Sequence, residues 1–136
     1  MPHLFDSDVI IFYINGVPRA RQLFTRYAQG GIFISTITYM EVLDGIPASP
    51  DPVVAGERLD RLIAHIPLIG FESTDAVRCA GVRQQLRRDG RQWRRRGIDL
   101  MIAATAMEHD LTLLTNNPGD YDDIDGLDLE HARIGG

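Results

Sequence analysis

The sequence predicts an α/β protein built on a mostly parallel sheet with helices on both faces. Short apolar runs of strand length alternate with longer amphipathic or apolar stretches of helix length, which is the pattern of a parallel sheet. Glycine and proline separate these runs where elements would begin or end. The chain has 136 residues, enough for one domain with a sizeable core, so we predict a single domain over residues 1–136.

Five short runs predict the strands of this sheet. Each spans three to five residues, is largely apolar, and is bounded by polar residues or by a glycine or proline. The last run has the weakest pattern and predicts a strand at the edge of the sheet. In chain order, the predicted strands cover residues 2–6, 32–35, 67–70, 111–115 and 127–129.

Six stretches predict helices, because their apolar residues recur at helical spacing or because capping residues precede them. Pro18 suits the first turn of the second helix. Ser35 or Thr36 caps the third, and Ser73 or Thr74 caps the fifth. The sixth is almost wholly apolar and predicts a buried helix. In chain order, the predicted helices cover residues 9–14, 18–30, 37–43, 53–65, 75–88 and 98–107.

Composition excludes several classes of protein. No apolar run approaches the roughly 20 residues that a membrane helix needs. The N-terminus lacks the basic flank and long apolar stretch of a signal peptide. We therefore expect no membrane association. The single Cys79 cannot form an internal disulfide, which fits a reducing compartment, so we expect a cytoplasmic protein.

Charge is distributed unevenly along the chain. The formal net charge is -5, and all 14 basic residues are arginine. Seven of these arginines lie between Arg83 and Arg96, whereas acidic residues concentrate between Asp120 and Glu130. We therefore predict a polarised surface. Because the sequence contains no lysine, mechanisms that need a lysine side chain are excluded.

Acidic and amide side chains follow the predicted strands at positions that one sheet edge would share. Asp6 ends the first strand, and Glu41 lies in the helix after the second. Asn117 and Asp120 follow the fourth strand, and Asp99 opens the helix before it. In a parallel sheet, strand ends and the helix starts that follow them lie at one edge. Asp99 joins the others only if its helix starts beside that edge.

Each acid also has an ordinary explanation. Asp6 or Asp8 can cap a helix, and Glu41 can be a solvated helical residue. Asp99 lies on an apolar helical face, where an uncompensated carboxylate costs several kcal/mol. It therefore caps its helix, pairs with one of the arginines at 94–96, or belongs to a site. The Asn-Asn-Pro-Gly sequence can be no more than a turn.

Carboxylates that converge in one pocket repel each other, so either some stay protonated or a cation neutralises them. The set contains no His or Cys. Ligands that are all oxygen suit Mg²⁺ or Mn²⁺, not Zn²⁺. An oxygen-lined site of this kind is typical of phosphoryl chemistry, in which the metal polarises a phosphate oxygen and lowers the pKa of water.

Four segments together resemble the PIN-domain ribonucleases, and within them the VapC-type toxins of bacterial toxin–antitoxin pairs. The resemblance covers essentially the whole chain, and the segment that begins at Ile98 is its most specific part. The segments are LFDSD at 4–8, ISTITYMEV at 34–42, IDLMIAATA at 98–106 and LTLLTNN at 111–117.

The resemblance implies a three-layer α/β/α sandwich and Mg²⁺- or Mn²⁺-dependent endonucleolytic cleavage of RNA by a metal-activated water in an acidic pocket. It implies that Asp6 and Asp99 are metal ligands, and that Glu41 is a ligand or positions the attacking water. Asn117 stands where the family has a fourth acid. Either Asp120 supplies that charge, or the site holds one metal ion where some relatives hold two.

The resemblance also implies supporting residues and partners. Asp8 would orient the metal ligands, and Thr115 would hydrogen-bond to a ligand or a phosphate. The expected partners are an RNA substrate, a second copy of the chain in a homodimer, and an antitoxin protein. In relatives the antitoxin covers the acidic pocket, often with an arginine.

The arginine-rich segment has three interpretations. Its guanidinium groups can grip RNA phosphates outside the acidic pocket. Trp93 can offer a stacking surface for an unpaired base, or it can equally pack on the domain. They can instead contact the antitoxin, or they can be a solvated helix end. The candidate RNA-binding residues are Arg87, Arg88, Arg91, Trp93, Arg94, Arg95 and Arg96.

Two alternative functions also fit part of the sequence. A phosphatase of the haloacid-dehalogenase type would use Asp6 and Asp8 as nucleophile and acid, with Ser35, Asp120 and Asp123 in supporting positions. That family normally uses a lysine, sometimes an arginine, and this chain has no lysine. The interpretation also leaves Glu41 and the helix of Asp99 unexplained. A non-catalytic binding module with a degenerate site is the second alternative, and poor metal binding would distinguish it.

Overall fold

The described residues form one five-stranded sheet in which every strand pair is parallel. The structure is a computed structural model that describes residues 1–135. The strand order is β3-β2-β1-β4-β5. The predicted parallel sheet is therefore confirmed. The strands are β1 (His3–Phe5), β2 (Ile32–Ser35), β3 (Leu68–Ile69), β4 (Thr112–Thr115) and β5 (Leu129–His131).

All six predicted helices are present, and most begin slightly earlier than predicted. None of the helices within residues 1–135 is long and apolar enough to span a membrane. The helices are α1 (Ser7–Ile14), α2 (Pro18–Tyr27), α3 (Thr36–Gly45), α4 (Pro52–His65), α5 (Ser73–Arg88) and α6 (Gly97–Glu108).

Two local predictions were wrong. The cap of α5 is Glu72, not Ser73 or Thr74. The Glu72 backbone N–H donates to the Asp75 carboxylate at 2.7 Å, so an acid inside the first turn satisfies this helix end. The last strand was predicted at 127–129, but β5 begins at Leu129, which pairs with Leu113. Leu127 packs against the core instead.

Alternating side chains of the sheet point into two separate cores. Phe5 and Leu114 pack with apolar residues of α1, α2 and α4. Leu4 and Leu113, their neighbours along the same strands, pack with residues of α5 and α6. Because both faces of the sheet are covered by helices, the three-layer α/β/α sandwich is confirmed.

The strand order reverses between β1 and β4. From β1 the chain builds outward through β2 to β3, then crosses to the other side of β1 to form β4. Asp6 follows β1 directly, and Thr115 ends β4 beside it. The carboxyl ends of strands at such a reversal form a crevice in which ligands bind in open α/β sheets. The fold therefore places Asp6 at the expected position of a functional site.

Candidate active site

Asp6 both caps α1 and lies at the centre of the site. Its side chain is buried, with 6% of its surface exposed. One carboxylate oxygen accepts from the Ser7 backbone N–H at 2.8 Å, which satisfies the start of α1. The other accepts from the Thr115 hydroxyl at 2.8 Å and from the Tyr121 hydroxyl at 3.0 Å. The capping interpretation and the site interpretation of Asp6 therefore hold together.

Asp99 reaches the same place through the hydroxyl of Tyr121. That hydroxyl lies 3.2 Å from Oδ1 of Asp99, and the Tyr121 side chain is only 1% exposed. Within residues 1–135, Asp99 neither caps α6 nor forms an ion pair. Helix α6 thus starts beside the carboxyl ends of the strands, which is what brings Asp99 to the same place as Asp6. Since a phenol has one proton, it donates to one carboxylate at a time while contacting both.

The two carboxylates are held in an environment that disfavours their charge. Burial, followed by the nearby charge of Asp8, raises the pKa of Asp6 to about 6. Burial, followed by the charges of Asp6 and Asp120, raises the pKa of Asp99 to about 6. Burial and these carboxylates also raise the pKa of Tyr121 well above its usual range, so the phenol stays protonated. This pocket therefore favours a cation.

Asp8 and Thr115 hold the end of β4 against the start of α1. The Asp8 carboxylate accepts from the backbone N–H groups of Val9 at 2.8 Å and Asn116 at 3.0 Å. The Thr115 hydroxyl, which bonds to Asp6, accepts from the Asn117 backbone N–H at 3.1 Å. Burial raises the pKa of Asp8, and the Asn116 N–H opposes that rise. Thr115 contacts both Asp6 and Asp8, and the supporting role that the resemblance implies for these residues stays a prediction.

The other predicted site residues lie around this centre. Glu41 accepts a hydrogen bond from the Ser7 hydroxyl, and its charge contributes to the raised pKa of Asp99. Asp120 is exposed, and its charge contributes to the same shift. Asn117 is also exposed, and its backbone rather than its side chain bonds to the site. Of these two residues, Asp120 brings negative charge to the pocket.

The donor set fits a divalent metal ion of the magnesium type. Asp6, which is buried, and Asp99, which is half-buried, offer carboxylate oxygens to a pocket whose charge is only partly compensated. Across residues 1–135, no three Asp, Glu, His or Cys side chains are arranged to enclose a metal, so Glu41 does not complete a ready-made cage. Mg²⁺ keeps several waters and is often held by one or two carboxylates together with substrate phosphates. A pair of carboxylates is therefore sufficient.

Arg96 supports the site instead of offering a free cation. Its guanidinium donates to both carboxylate oxygens of Asp123 at 2.7 and 2.8 Å, and to the Asp120 carbonyl at 2.8 Å. The paired guanidinium lowers the pKa of Asp123. Arg96 therefore makes a structural contact between the start of α6 and the loop after β4. It also lines a groove beside the acidic pocket, and its RNA contact stays a prediction.

A groove leads away from the acidic pocket along the arginine-rich segment. It has a volume of about 500 Å³, and its lining combines two acids with three arginines, two of which are exposed. Its lining includes Glu41, Asp99, Met101, Arg94 and Arg95. The groove therefore joins an acidic pocket to a basic surface.

The remaining candidates in the arginine-rich segment point in different directions. Arg87 lies over the ring of Trp93, with its guanidinium carbon 4.5 Å from the ring centre. Trp93 is half-buried and packs against the core, so it is not an open stacking surface. Arg88 lines a separate hollow beside α6, and the charge of Arg91 acts on Asp123. Only part of the segment faces the groove.

Tyr121 is the functional residue that the sequence analysis missed. Its signal was weak, because it is a single aromatic residue within an acidic loop. The phenol is buried beneath that loop and bridges two carboxylates that lie 93 positions apart in the sequence. Only the tertiary fold brings those groups together.

Tyr121→Phe is expected to weaken divalent metal binding by about 10- to 100-fold, because loss of a supporting hydrogen bond to a metal ligand has effects of this size. Phenylalanine fills nearly the same space, so the fold should survive. Calorimetric titration with Mn²⁺ measures the change, and Tyr39→Phe is a matched control on α3. Equal Mn²⁺ affinity in Tyr121→Phe and wild type would show that the hydroxyl has no such role.

Metal-free protein is expected to be less stable at pH 7 than at pH 5. A raised carboxyl pKa means that the folded state binds the proton more tightly, so stability present below about pH 4 is lost as the pH rises through 6. For Asp6, a pKa of about 6 corresponds to a loss of about 3 kcal/mol at pH 7 relative to acidic pH, of which roughly 1 kcal/mol lies between pH 5 and pH 7. Urea unfolding at the two pH values measures this, and Mg²⁺ should restore stability mainly at pH 7. Equal stability at both pH values would contradict the burial of these charges.

The PIN-domain family model matches residues 4–127. The chain therefore belongs to the PIN-domain family. Within the family, it is similar to proteins of the VapC type, which confirms the resemblance seen in the sequence. It is 27% identical over 127 residues to the tRNA(fMet)-specific endonuclease VapC of Shigella flexneri, with 93% of this chain and 95% of that protein covered.

Solved structures of the same type share the fold over nearly the whole chain. The structure of VapBC2 from Rickettsia felis, bound to a DNA fragment from their promoter, superposes with a TM-score of 0.85 at 25% identity, covering 96% of this chain and 98% of that one. The structure of DNA-bound VapBC from Salmonella typhimurium gives a TM-score of 0.83 at 26% identity, with 97% and 98% covered.

Proposed function

We propose that this chain is an endoribonuclease toxin of a toxin–antitoxin pair, and that it cleaves RNA with a Mg²⁺ or Mn²⁺ ion held by Asp6 and Asp99. The observation that supports this most strongly is the bridge through Tyr121, which joins these two carboxylates where the strand order reverses. One hydroxyl shared between a buried and a half-buried carboxylate is costly in a purely structural setting and useful in a metal site.

Each residue of the pocket has a distinct task in this proposal. The bound metal supplies charge that polarises the scissile phosphate and lowers the pKa of water. Asp6 and Asp99 hold the metal, and Tyr121 keeps them at a fixed separation. Glu41 orients the attacking water and accepts its proton, since this carboxylate faces the same pocket from α3. Thr115 keeps Asp6 in position by donating to Oδ2, the carboxylate oxygen that also accepts from Tyr121.

Transfer RNA is the first substrate class to test. The Shigella flexneri relative is named for tRNA(fMet), and the present chain is similar to it over nearly its full length. The groove beyond Asp99 carries Arg94 and Arg95, which suits the phosphate backbone of a bound strand. We therefore propose a structured RNA with an accessible single-stranded segment.

An antitoxin is the proposed protein partner. The similar structures from Rickettsia felis and Salmonella typhimurium are of VapBC proteins. In the present chain the acidic pocket lies open beside the groove, and its uncompensated charge attracts a cationic side chain. An antitoxin segment that presents an arginine to Asp6 and Asp99 would occupy the place of the metal and block cleavage.

Cleavage of RNA by the purified protein, free of any partner, tests this proposal. Initiator transfer RNA and total cellular RNA are incubated with Mg²⁺, with Mn²⁺ or with EDTA, and the fragment ends are sequenced. We expect discrete fragments that require a divalent metal. Cleavage that EDTA does not affect, or no cleavage of any RNA by folded protein that binds Mn²⁺, would contradict the proposal.

The phosphatase alternative receives no support from the geometry. It needs Asp123 as a late acid, but Arg96 holds both oxygens of that carboxylate. The non-catalytic module would predict weak metal binding, and the raised pKa values of Asp6 and Asp99 argue for a site that gains from a cation.

A further inference from the structure

Three guanidinium groups surround the side chain of Trp93. The guanidinium carbons of Arg83, Arg87 and Arg94 lie 4.7, 4.5 and 5.3 Å from the centre of its ring. Arg83 and Arg87 are one helical turn apart on α5. Among residues 1–135, none of the three arginines has a carboxylate within 4.0 Å. We call these four residues the arginine–tryptophan cluster.

The cluster holds positive charge in place without neutralising it. Like charges at such separations repel. The tryptophan ring offsets part of that repulsion, because a guanidinium near its face is attracted by the negative charge of the π system. A guanidinium that stacks on a ring keeps the N–H donors at its edge free. The arginines are therefore restrained in position while their hydrogen-bonding edges remain open to an anion.

A hollow of about 440 Å³ adjoins this cluster between α5 and α6. Phe71 and Met101 contribute apolar surface to it, and Gln84 contributes a side-chain amide. Arg83 and Arg87 line the same hollow, so its chemistry is apolar with a polar and basic border. This combination matches a nucleotide, which has an apolar base face, a polar base edge and an anionic phosphate.

The hollow and the groove of the candidate active site share one lining residue, Met101. Arg94 lines the groove and also lies over Trp93. Because Asp99 and Met101 both line the groove, an RNA strand that runs along it from Asp99 past Met101 would reach the border of the hollow.

We propose that this hollow binds one unpaired nucleotide of the substrate strand, next to the phosphodiester that is cleaved. Its base lies against Phe71 and Met101, and its phosphate is held by the arginines of the cluster. Gln84 is placed to read the edge of the base. The inference rests on the proposed ribonuclease function, and it adds that the RNA must be single-stranded on this side of the cut.

Binding measured without cleavage tests the assignment. The probe is a fluorescein-labelled, mixed-sequence RNA of 12 nucleotides, used as a single strand and annealed to its complement. Binding is measured in EDTA by fluorescence anisotropy at several salt concentrations. Arg83→Gln should weaken single-strand binding several-fold and reduce the slope of log K against log salt by about 0.7, the value for one lost phosphate contact. Arg61→Gln on α4 removes an equal charge far from the hollow and should change neither.

A second variant separates positioning from charge. Trp93→Leu removes no charge, yet it should weaken single-strand binding as Arg83→Gln does, because the guanidinium groups lose their support. Its thermal unfolding is recorded alongside. The assignment would be overturned if Arg83→Gln and Arg61→Gln bound RNA equally well, or if the duplex bound as tightly as the single strand. The hollow would then be a candidate contact surface for a protein partner.

Failure of the two proposals can be told apart. Parallel reactions with Mg²⁺ measure cleavage by the same proteins. Wild-type protein that binds RNA through Arg83 but cleaves none would contradict the ribonuclease proposal alone. If the wild type cleaves RNA, and Arg83→Gln binds and cleaves RNA as well as the wild type, only the proposal that the hollow binds a nucleotide is contradicted.

Discussion

Asp99→Asn is expected to abolish RNA cleavage, by on the order of 10³-fold or more, while the fold survives. Loss of a single charge-stabilising group in an active site typically costs about 10²- to 10³-fold, and a metal ligand contributes at least as much. Asparagine has the same shape as aspartate and can still accept from Tyr121, so packing at the start of α6 is preserved. Cleavage of the RNA identified for the wild type measures the effect.

The same variant has a second expected property. Because the neutral amide removes one of two repelling charges, metal-free Asp99→Asn should unfold at a higher temperature than the wild type at pH 7. Asp122→Asn, an exposed acid of the same loop, is the matched control. Growth inhibition on expression should disappear with Asp99→Asn and persist with the control. Full cleavage by Asp99→Asn would show that this carboxylate has no part in the reaction.

Arg96→Gln is expected to lower the unfolding free energy by about 2 kcal/mol, or roughly 7 °C in melting temperature. The ion pair with Asp123 is bidentate, and its two side chains are only 17% and 19% exposed. The pair joins the start of α6 to the loop that contains Tyr121. Its loss should therefore also reduce cleavage, by about tenfold, through the position of that hydroxyl.

A double-mutant cycle with Asp123→Asn isolates this interaction. If the pair acts as a unit, the double variant should be little less stable than either single variant. Losses that add fully would show that the two side chains contribute independently. Such a result would leave Arg96 available for the RNA contact first predicted for it.

Much of the fold could be predicted because its determinants are local. The apolar runs at 32–35 and 111–115 and the long periodic stretches define strands and helices without tertiary information. Boundaries were harder, since serine is a preferred N-cap type, whereas the start at Glu72 depends on its reciprocal contact with Asp75. The register of β5 was missed because Leu127 and Leu129 are equally apolar, and only pairing with Leu113 distinguishes them.

The candidate residues of the site could be identified from the sequence, but the hydrogen bonds between them could not. Asp6 follows a strand, so its position at the sheet edge follows from the topology. Asp99 precedes a strand, and nothing local indicates that α6 starts beside that edge. Tyr121 could not be identified, because its role depends on two carboxylates from distant parts of the chain. For Trp93 the sequence left open a surface for a base or packing on the domain, and its contacts with the core and with Arg83 and Arg87 favour packing.

A titration with Mn²⁺ at pH 7.5, in which electron paramagnetic resonance measures the bound metal, tests the central claim that Asp6 and Asp99 together hold a divalent metal. The wild type should bind Mn²⁺ saturably, and Mg²⁺ should displace it. Asp6→Asn and Asp99→Asn should each lose nearly all of this binding, whereas Asp122→Asn should retain it. If the wild type binds no Mn²⁺, or if both site variants bind it as the wild type does, the metal site proposed here is contradicted.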